Sequence, residues 1–200
     1  MTTVYRLARH ELRLFASLAL WLVRRTQGTA GGRAFGYARG QGATMLGLAF
    51  VCLVETVGVA VMLRGVPVAH DVMLVLDVYT VVFVVGLHAA CAVRPHVLTP
   101  DTLRVRYGAH VDLRIPLTTI TAVRRETRTT HEPQADTLAL AVGSQTTVTL
   151  ELAEPVVHTS VLGRRRRVSV VRLYADDAGS LVRALTQRGG GSSPCPDRPG

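Results

Sequence analysis

Two long apolar segments constrain this chain more than any other feature of its sequence. Residues 42–63 contain one charged side chain, Glu55. Residues 71–93 begin with Asp71 and contain one further charged side chain, Asp77. A helix needs about 20 apolar residues to cross a bilayer, whereas a buried strand in a soluble protein rarely exceeds about 8. Both segments therefore predict membrane-spanning helices, and the short connection at residues 64–70 predicts that they form a hairpin.

The distribution of arginine predicts the orientation of that hairpin. All 23 basic residues are arginine, and the net charge is +9. Seven arginines precede the first apolar segment, others follow the second, and the connection contains only Arg64. Short arginine-rich segments stay in the cytoplasm, so we expect a multi-pass protein of the inner (cytoplasmic) membrane with both termini in the cytoplasm. Because topology explains the charge, we do not expect nucleic acid as a partner.

The first 41 residues predict a cytoplasmic helix followed by a glycine-rich connector. In residues 4–25, arginines recur along one helical stripe, and leucines with Trp21 occupy the other side. This pattern is typical of an amphipathic helix in the membrane interface, and it fits a helix packed on the protein's own cytoplasmic domain equally well. The connector contains no phosphate-binding spacing.

The region after the hairpin changes from helical to strand periodicity. Apolar and polar residues alternate in short segments such as TLRVRYG and VDLRIP, which predicts about six or seven antiparallel strands between residues 97 and 174. The segment DDAGSLVRALTQR then predicts an amphipathic helix capped by Asp176 or Asp177. We therefore expect a β-domain at residues 94–188, and a disordered tail at residues 189–200 because Gly, Ser and Pro cannot form a core.

Polar groups inside the apolar segments are the first candidates for a functional role. At 100° per residue, Asp77, Thr80 and His88 form a stripe along the second helix, and Glu55 lies at a similar depth on the first. These groups could hold the hairpin or a homo-oligomer together, recognise a polar partner in the membrane, or form a path for protons or ions. We favour the contact roles because transporters are normally built from more helices than two.

The second candidate is a run of four arginines at the predicted tip of a β-hairpin, Arg164, Arg165, Arg166 and Arg167. The run could bind anionic lipid headgroups, and the alternative is a solvated turn. His131 and Glu132 predict a turn rather than a metal site, and no nucleophile motif is present. We therefore expect no cofactor, no metal and no enzymatic activity.

One stretch resembles a known type of domain. The segment VRPHVLTPDTLRVRYGAHVDLRIPLTTITAVRRETR resembles the opening of bacterial pleckstrin-homology (PH) like domains that are attached to membrane hairpins. With AFGYARGQG before the first span, nearly the whole chain is similar to an uncharacterised actinobacterial membrane protein family of this layout. The resemblance implies an α+β membrane protein with a PH-like antiparallel β-barrel capped by a C-terminal helix, and it supplies no functional residues.

Together these features predict a membrane-anchored interaction module. It would present the PH-like domain to a protein or lipid partner at the cytoplasmic face, and homo-oligomers are compatible with the polar groups of the hairpin. The alternative is an oligomeric channel or transporter that uses the intramembrane groups Glu55, Asp77 and His88.

Overall fold

The computed structural model contains four helices and eight strands in the part of the chain that it describes. That part comprises residues 2–108, 111–129, 134, 136–160 and 164–189, without the side chains of residues 2–10 and 13. The helices are α1 (Thr2–Leu22), α2 (Arg39–Met62), α3 (Pro67–Val93) and α4 (Ala178–Gly189). His131, Glu132 and the predicted tail from residue 190 lie outside the described residues.

The two apolar segments form long helices, as predicted. Helices α2 and α3 are long and apolar enough to cross a membrane, and they pack against each other as a hairpin. Helix α3 begins four residues before the predicted start because Pro67 occupies its first turn, where a missing N–H costs no hydrogen bond.

Helix α1 packs along α3 rather than on the β-domain. The Tyr79 hydroxyl donates to the Glu11 carboxylate at 3.0 Å, and further along α1 the buried Leu14 packs against Ala90 of α3. At the end of this contact, the Gln27 N–H donates to the Val93 carbonyl. Trp21 of α1 also meets His88 of α3, so the C-terminal ends of α1 and α3 lie close together.

The sequence did not predict the contact between α1 and α3, and the placement of α1 in the membrane interface stays a prediction. The cytoplasmic position of the N-terminus, inferred from the arginines, also stays a prediction. Small residues on α3, Gly86 and Ala90, leave room for Leu14, and amphipathic periodicity alone does not reveal such a partner.

The strands form two four-stranded sheets. The strands are β1 (Arg33–Phe35), β2 (His96–Leu98), β3 (Thr102–Tyr107), β4 (Val111–Pro116), β5 (Ile120–Arg128), β6 (Thr137–Leu140), β7 (Thr146–Thr159) and β8 (Arg165–Leu173). The first sheet has the order β1-β2-β3-β4 and the second β5-β7-β8-β6. Strands β2–β8 match the expected number between residues 97 and 174.

The predicted closed barrel is wrong, and one strand pair departs from the predicted antiparallel arrangement. A 3₁₀ turn at Leu117–Thr119 leads from β4 to β5, and no strand of one sheet is hydrogen-bonded to a strand of the other among the described residues. Strand β6 pairs with β8 in parallel, because β8 inserts between β6 and β7. Local alternation predicts strands but not the order in which they pair.

One hydrophobic core lies between the two sheets and is closed by α4. It contains Leu103, Val105 and Ile115 of the first sheet, and Leu150 of the second, all fully buried. Helix α4 contributes Leu181. Its start is fixed as predicted by an aspartate cap, since the Asp177 carboxylate accepts the Ser180 N–H at 2.9 Å.

The glycine-rich connector belongs structurally to the β-domain. Within it, β1 pairs antiparallel with β2, with Phe35 opposite His96. Phe35 joins the hydrophobic core of the domain. The β-domain therefore consists of two separate stretches of the chain, and residues 94–188 alone lack one edge strand of the first sheet.

Candidate functional site

One face of α2 packs against α3 with heptad spacing. The partly covered residues that recur at this spacing are Gly42, Met45, Ala49, Cys52, Thr56, Val59 and Leu63. A Cβ atom at Gly42 would lie 3.8 Å from the His88 ring, which fixes the vertical register of the two antiparallel helices. We call this contact between α2 and α3 the hairpin seam.

Asp77 and His88 both lie in the hairpin seam. His88 lies beside Gly42, and Asp77 comes eleven residues before His88 on α3. Because the two helices are antiparallel, Asp77 lies beside the part of α2 that is eleven residues after Gly42, at the level of Cys52 and Thr56. Asp77 Oδ2 and His88 Nδ1 are buried and accept or donate no hydrogen bond within the described structure. The other side of the His88 ring meets Trp21 of α1 edge-on, with ring centroids 6.0 Å apart.

Glu55 does not meet Asp77. The two carboxyls have similar depths, as the sequence indicated, but Glu55 lies about 85° around α2 from the centre of the seam. Its side chain is exposed, and it has no hydrogen bond or ion pair with any described residue. A carboxyl at the centre of a spanning helix costs roughly 2.5–3.5 kcal/mol on insertion scales. In a membrane-spanning α2, the Glu55 carboxyl would have no hydrogen-bond partner among the described residues.

The stripe on α3 does not form a continuous polar path. The Thr80 hydroxyl is exposed and donates to the Leu76 carbonyl of its own helix at 2.8 Å. Asp77 and His88 are about 16 Å apart along the helix, and Val81 and Val84 occupy the seam between them. No observation in the described structure therefore favours a proton or ion path.

The arginine run lies at the far end of the β-domain from the hairpin. Beyond a bulge after Glu151, β7 and β8 continue as a two-stranded arm, residues 156–159 and 165–168. Because side chains alternate across a strand, Arg165 and Arg167 share one face of the arm and Arg166 lies on the other. Arg166 donates to the Gln134 carbonyl at 2.8 Å. The run is therefore not a single four-arginine patch, and lipid contact stays a prediction.

The end of the hairpin opposite the α2–α3 connection is joined to the β-domain by a buried polar cluster that the sequence did not reveal. Tyr37 is 1% exposed, and its ring stacks on His96 with centroids 4.7 Å apart. Its hydroxyl accepts the Gly108 N–H at 2.9 Å and lies against the Cys91 thiol of α3. Burial raises the pKa of Tyr37 well above its ordinary value, so the phenol stays neutral. We call this group, with Arg106 and Asp176, the junction cluster.

His96 is fixed in one neutral tautomer at the centre of the junction cluster. Its Nε2–H donates to the Tyr174 carbonyl at 2.9 Å, and its Nδ1 accepts the Arg106 N–H at 3.1 Å. The residue is 1% exposed. Burial, together with the nearby Arg106 guanidinium, lowers the pKa of His96 from 6.5 to about 4, against the raising effect of the Tyr174 carbonyl. Only two residues separate His96 from the end of α3.

Arg106 ties the connector to the first sheet. Its guanidinium donates to the Gln27 carbonyl at 2.6 Å and to the Gly28 carbonyl at 3.1 Å, and the side chain is 4% exposed. Gly28 has φ +68°, and a Cβ there would lie 2.5 Å from the guanidinium. Glycine is therefore required at this position by both the backbone conformation and the close approach.

Asp176 joins α2 to the second sheet. Its carboxylate accepts the N–H of Arg39, the first residue of α2, at 3.2 Å, and its own N–H donates to the Gly36 carbonyl at 2.9 Å. A carboxylate at a helix N-terminus also interacts favourably with the helix dipole. The adjacent residues Asp176 and Asp177 thus cap two different helices.

The sequence contained a partial signal for the junction cluster. Phe35 and Tyr37 alternate within a glycine-rich segment, which indicates a short buried strand followed by an aromatic anchor. Three paired residues are too few for a convincing alternation. The approach of His96 and Arg106 to Tyr37 depends on pairing between distant parts of the chain, which no local pattern encodes.

The fold and the junction cluster define the class of this protein. It is an α+β protein in which two helices long and apolar enough to cross a membrane are fixed directly to a domain of two β-sheets. The chain matches no protein-family model, no curated protein and no solved structure. The resemblance to actinobacterial membrane proteins with a PH-like domain therefore stays a prediction from the sequence.

Proposed function

We propose that the protein is an interaction module anchored in the inner membrane. Helices α2 and α3 cross the bilayer, and the junction cluster holds a PH-like β-domain at the cytoplasmic face in a fixed orientation. The domain presents a binding surface to a protein partner. The arginines that flank the hairpin, including Arg39 and Arg94, favour the cytoplasmic side for the β-domain.

The observation that supports this proposal is the exposed apolar surface of the hairpin. Helices of a soluble core would be buried, whereas none of the apolar stretch of α2 and only 17% of that of α3 is buried. Soluble monomers rarely expose a continuous apolar patch above about 600 Å². The exposed large side chains include Leu46, Phe50, Leu53, Val57, Val61, Val68, Val72, Val75, Leu76 and Val78. Lipid is the surrounding that suits such a surface.

The junction cluster supports the proposal that the hairpin holds the β-domain in a fixed orientation for a partner. Flexible linkers of Gly and Ser would let an anchored domain reorient freely. Here α3 leads into β2 across two residues, and α2 is capped by Asp176 of the β-domain. Buried hydrogen-bonded networks of this kind give a rigid arrangement. The domain is thus held in one orientation relative to the hairpin.

A groove beside β5 is the surface that we assign to the partner. Strand β5 forms one edge of the second sheet, and a cavity of about 260 Å³ lies between it and α4. The cavity is lined by Leu117, Ile120, Val123 and Leu185 among others. Edge strands beside apolar pockets bind extended peptide segments by adding a strand. This chemistry favours a protein partner over a lipid.

A photo-crosslinking residue at Thr121, in the groove, tests the proposal in living cells. The matched control places the same residue at Val157, which is exposed on the arm. We expect a discrete adduct heavier than the chain from position 121 and none from position 157. Adducts from both positions alike, or only multiples of the chain itself, would contradict the groove as the presented surface.

A further inference from the structure

A second face of α2 carries the exposed carboxyl of Glu55. Its residues recur at the same heptad spacing as the hairpin seam, about 100° around the helix. All are exposed: Thr44, Leu48, Val51, Glu55, Gly58 and Met62. We call this set the outer stripe. Heptad spacing keeps one face of a helix against a parallel neighbour along its full length.

Glu55 sets a requirement that lipid does not meet. The inference rests on the proposed function, because it places α2 in the bilayer, where hydrocarbon offers neither donors nor acceptors. The Glu55 side chain makes no hydrogen bond with the described residues. Asp77, the other carboxyl at this depth, is covered by α2 in the hairpin seam. A polar partner for Glu55 must therefore contact the outer stripe.

We propose that the outer stripe binds the outer stripe of a second copy of this chain. Copies inserted in one membrane share their orientation, so a two-fold axis along the membrane normal brings the same residues together at the same depth. Glu55 then meets Glu55 of the second copy. Two adjacent carboxyl groups hydrogen-bond to each other when the O–H of one donates to the oxygen of the other. The pair satisfies itself without any other protein.

Gly58 allows the two helices to approach. It lies one turn from Glu55 on the outer stripe, and a Cβ atom there would have nothing within 4 Å. Small residues at such positions let two spanning helices come close enough for side chains to hydrogen-bond across the interface. The carboxyl and the open glycine thus act on the same face of α2.

Cysteine crosslinking in native membranes tests this interface directly. The native cysteines are first replaced by alanine, and single cysteines are then introduced one at a time. The three test positions lie on the outer stripe: Leu48, Val51 and Met62. The three matched control positions are exposed on the opposite side of α2: Phe50, Leu53 and Val57. We expect oxidation to give at least tenfold more disulfide-linked dimer at the first three. Equal crosslinking in both sets, or adducts with other proteins in place of dimers, would overturn the proposal.

Two variants of Glu55 separate its chemistry from its bulk. Glu55→Gln retains a donor and an acceptor, so the Val51 crosslink should persist, whereas Glu55→Leu should reduce it at least tenfold. An unchanged crosslink in Glu55→Leu would refute the role of the carboxyl. Retention of each variant in carbonate-washed membranes separates the two proposals. If the chain is retained but forms no stripe-specific dimer, only the dimer fails, whereas release from the membrane refutes the anchoring and the dimer with it.

Discussion

Acidification should destabilise the junction cluster through His96. In the folded protein its pKa is about 4, below the 6.5 of an exposed histidine, so the unfolded chain binds a proton more readily than the folded one. The stability is therefore fully present above about pH 6.5 and falls as the pH is lowered towards 4. Protonation would also replace the acceptor at Nδ1 by a second donor facing the Arg106 N–H.

The magnitude follows from the two pKa values. Between pH 7.5 and pH 5 the linkage relation gives a loss of about 2 kcal/mol in the free energy of unfolding. For a domain of this size, that loss corresponds to a decrease of roughly 10 °C in the melting temperature. The effect should be cooperative with the loss of tyrosine packing, because Tyr37 stacks directly on His96.

Thermal melts of the detergent-solubilised protein, followed by near-ultraviolet circular dichroism of the stacked tyrosines, measure this effect. His96→Gln can still donate to the Tyr174 carbonyl and does not titrate, so its melting temperature should be nearly the same at both pH values. His70→Gln, at the end of α3 that is far from the junction cluster, is the matched control and should keep the pH dependence of the wild type. If wild type and His96→Gln lose the same stability on acidification, His96 is not the cause of the pH dependence.

Three further substitutions test the contacts that position the helices. Arg106→Leu removes both hydrogen bonds between Arg106 and the connector. Trypsin cleavage after Arg24 or Arg25 should therefore accelerate about tenfold, which corresponds to a loss of about 1.4 kcal/mol in local stability. Arg104→Leu, on the same strand, is the control and should leave the cleavage rate unchanged. Asp177→Ala should lower the midpoint of chemical denaturation because it removes the cap of α4, whereas Asp177→Asn, which keeps a carbonyl acceptor, should lower it much less; equal decreases would contradict the capping role. Leu14→Ala should lower the free energy of unfolding by about 2–5 kcal/mol, because Leu14 is buried against α3. Leu12 is 69% exposed, so Leu12→Ala should change the free energy of unfolding by no more than about 0.5 kcal/mol in the same denaturation measurement.

Much of the architecture could be predicted from the sequence because it is encoded locally. The length of the apolar segments predicts α2 and α3, and period-two alternation predicts the strands from Thr102 onwards. The cap of α4 follows from Asp177 before an amphipathic segment. Each of these features depends on neighbours within a few residues, so no knowledge of the tertiary structure is needed.

The orientation of the candidate site could not be predicted in the same way. A helical wheel shows that Glu55 and Asp77 each lie on a polar face, but it does not show which faces of α2 and α3 meet. The hairpin seam follows small and apolar residues such as Ala49, and this rotation turns Glu55 outwards. The junction cluster depends on contacts between residues far apart in sequence, such as Tyr37 with His96.

Labelling from outside the cell shows whether α2 and α3 cross the membrane with the β-domain in the cytoplasm. Single cysteines are placed at Gly65, in the α2–α3 connection, and at Val157 on the β-domain, and intact cells are treated with a membrane-impermeant maleimide. We expect position 65 to react in intact cells and position 157 to react only after permeabilisation, with both variants retained in carbonate-washed membranes. Labelling of position 157 in intact cells, or release of the protein by carbonate, would contradict this expectation.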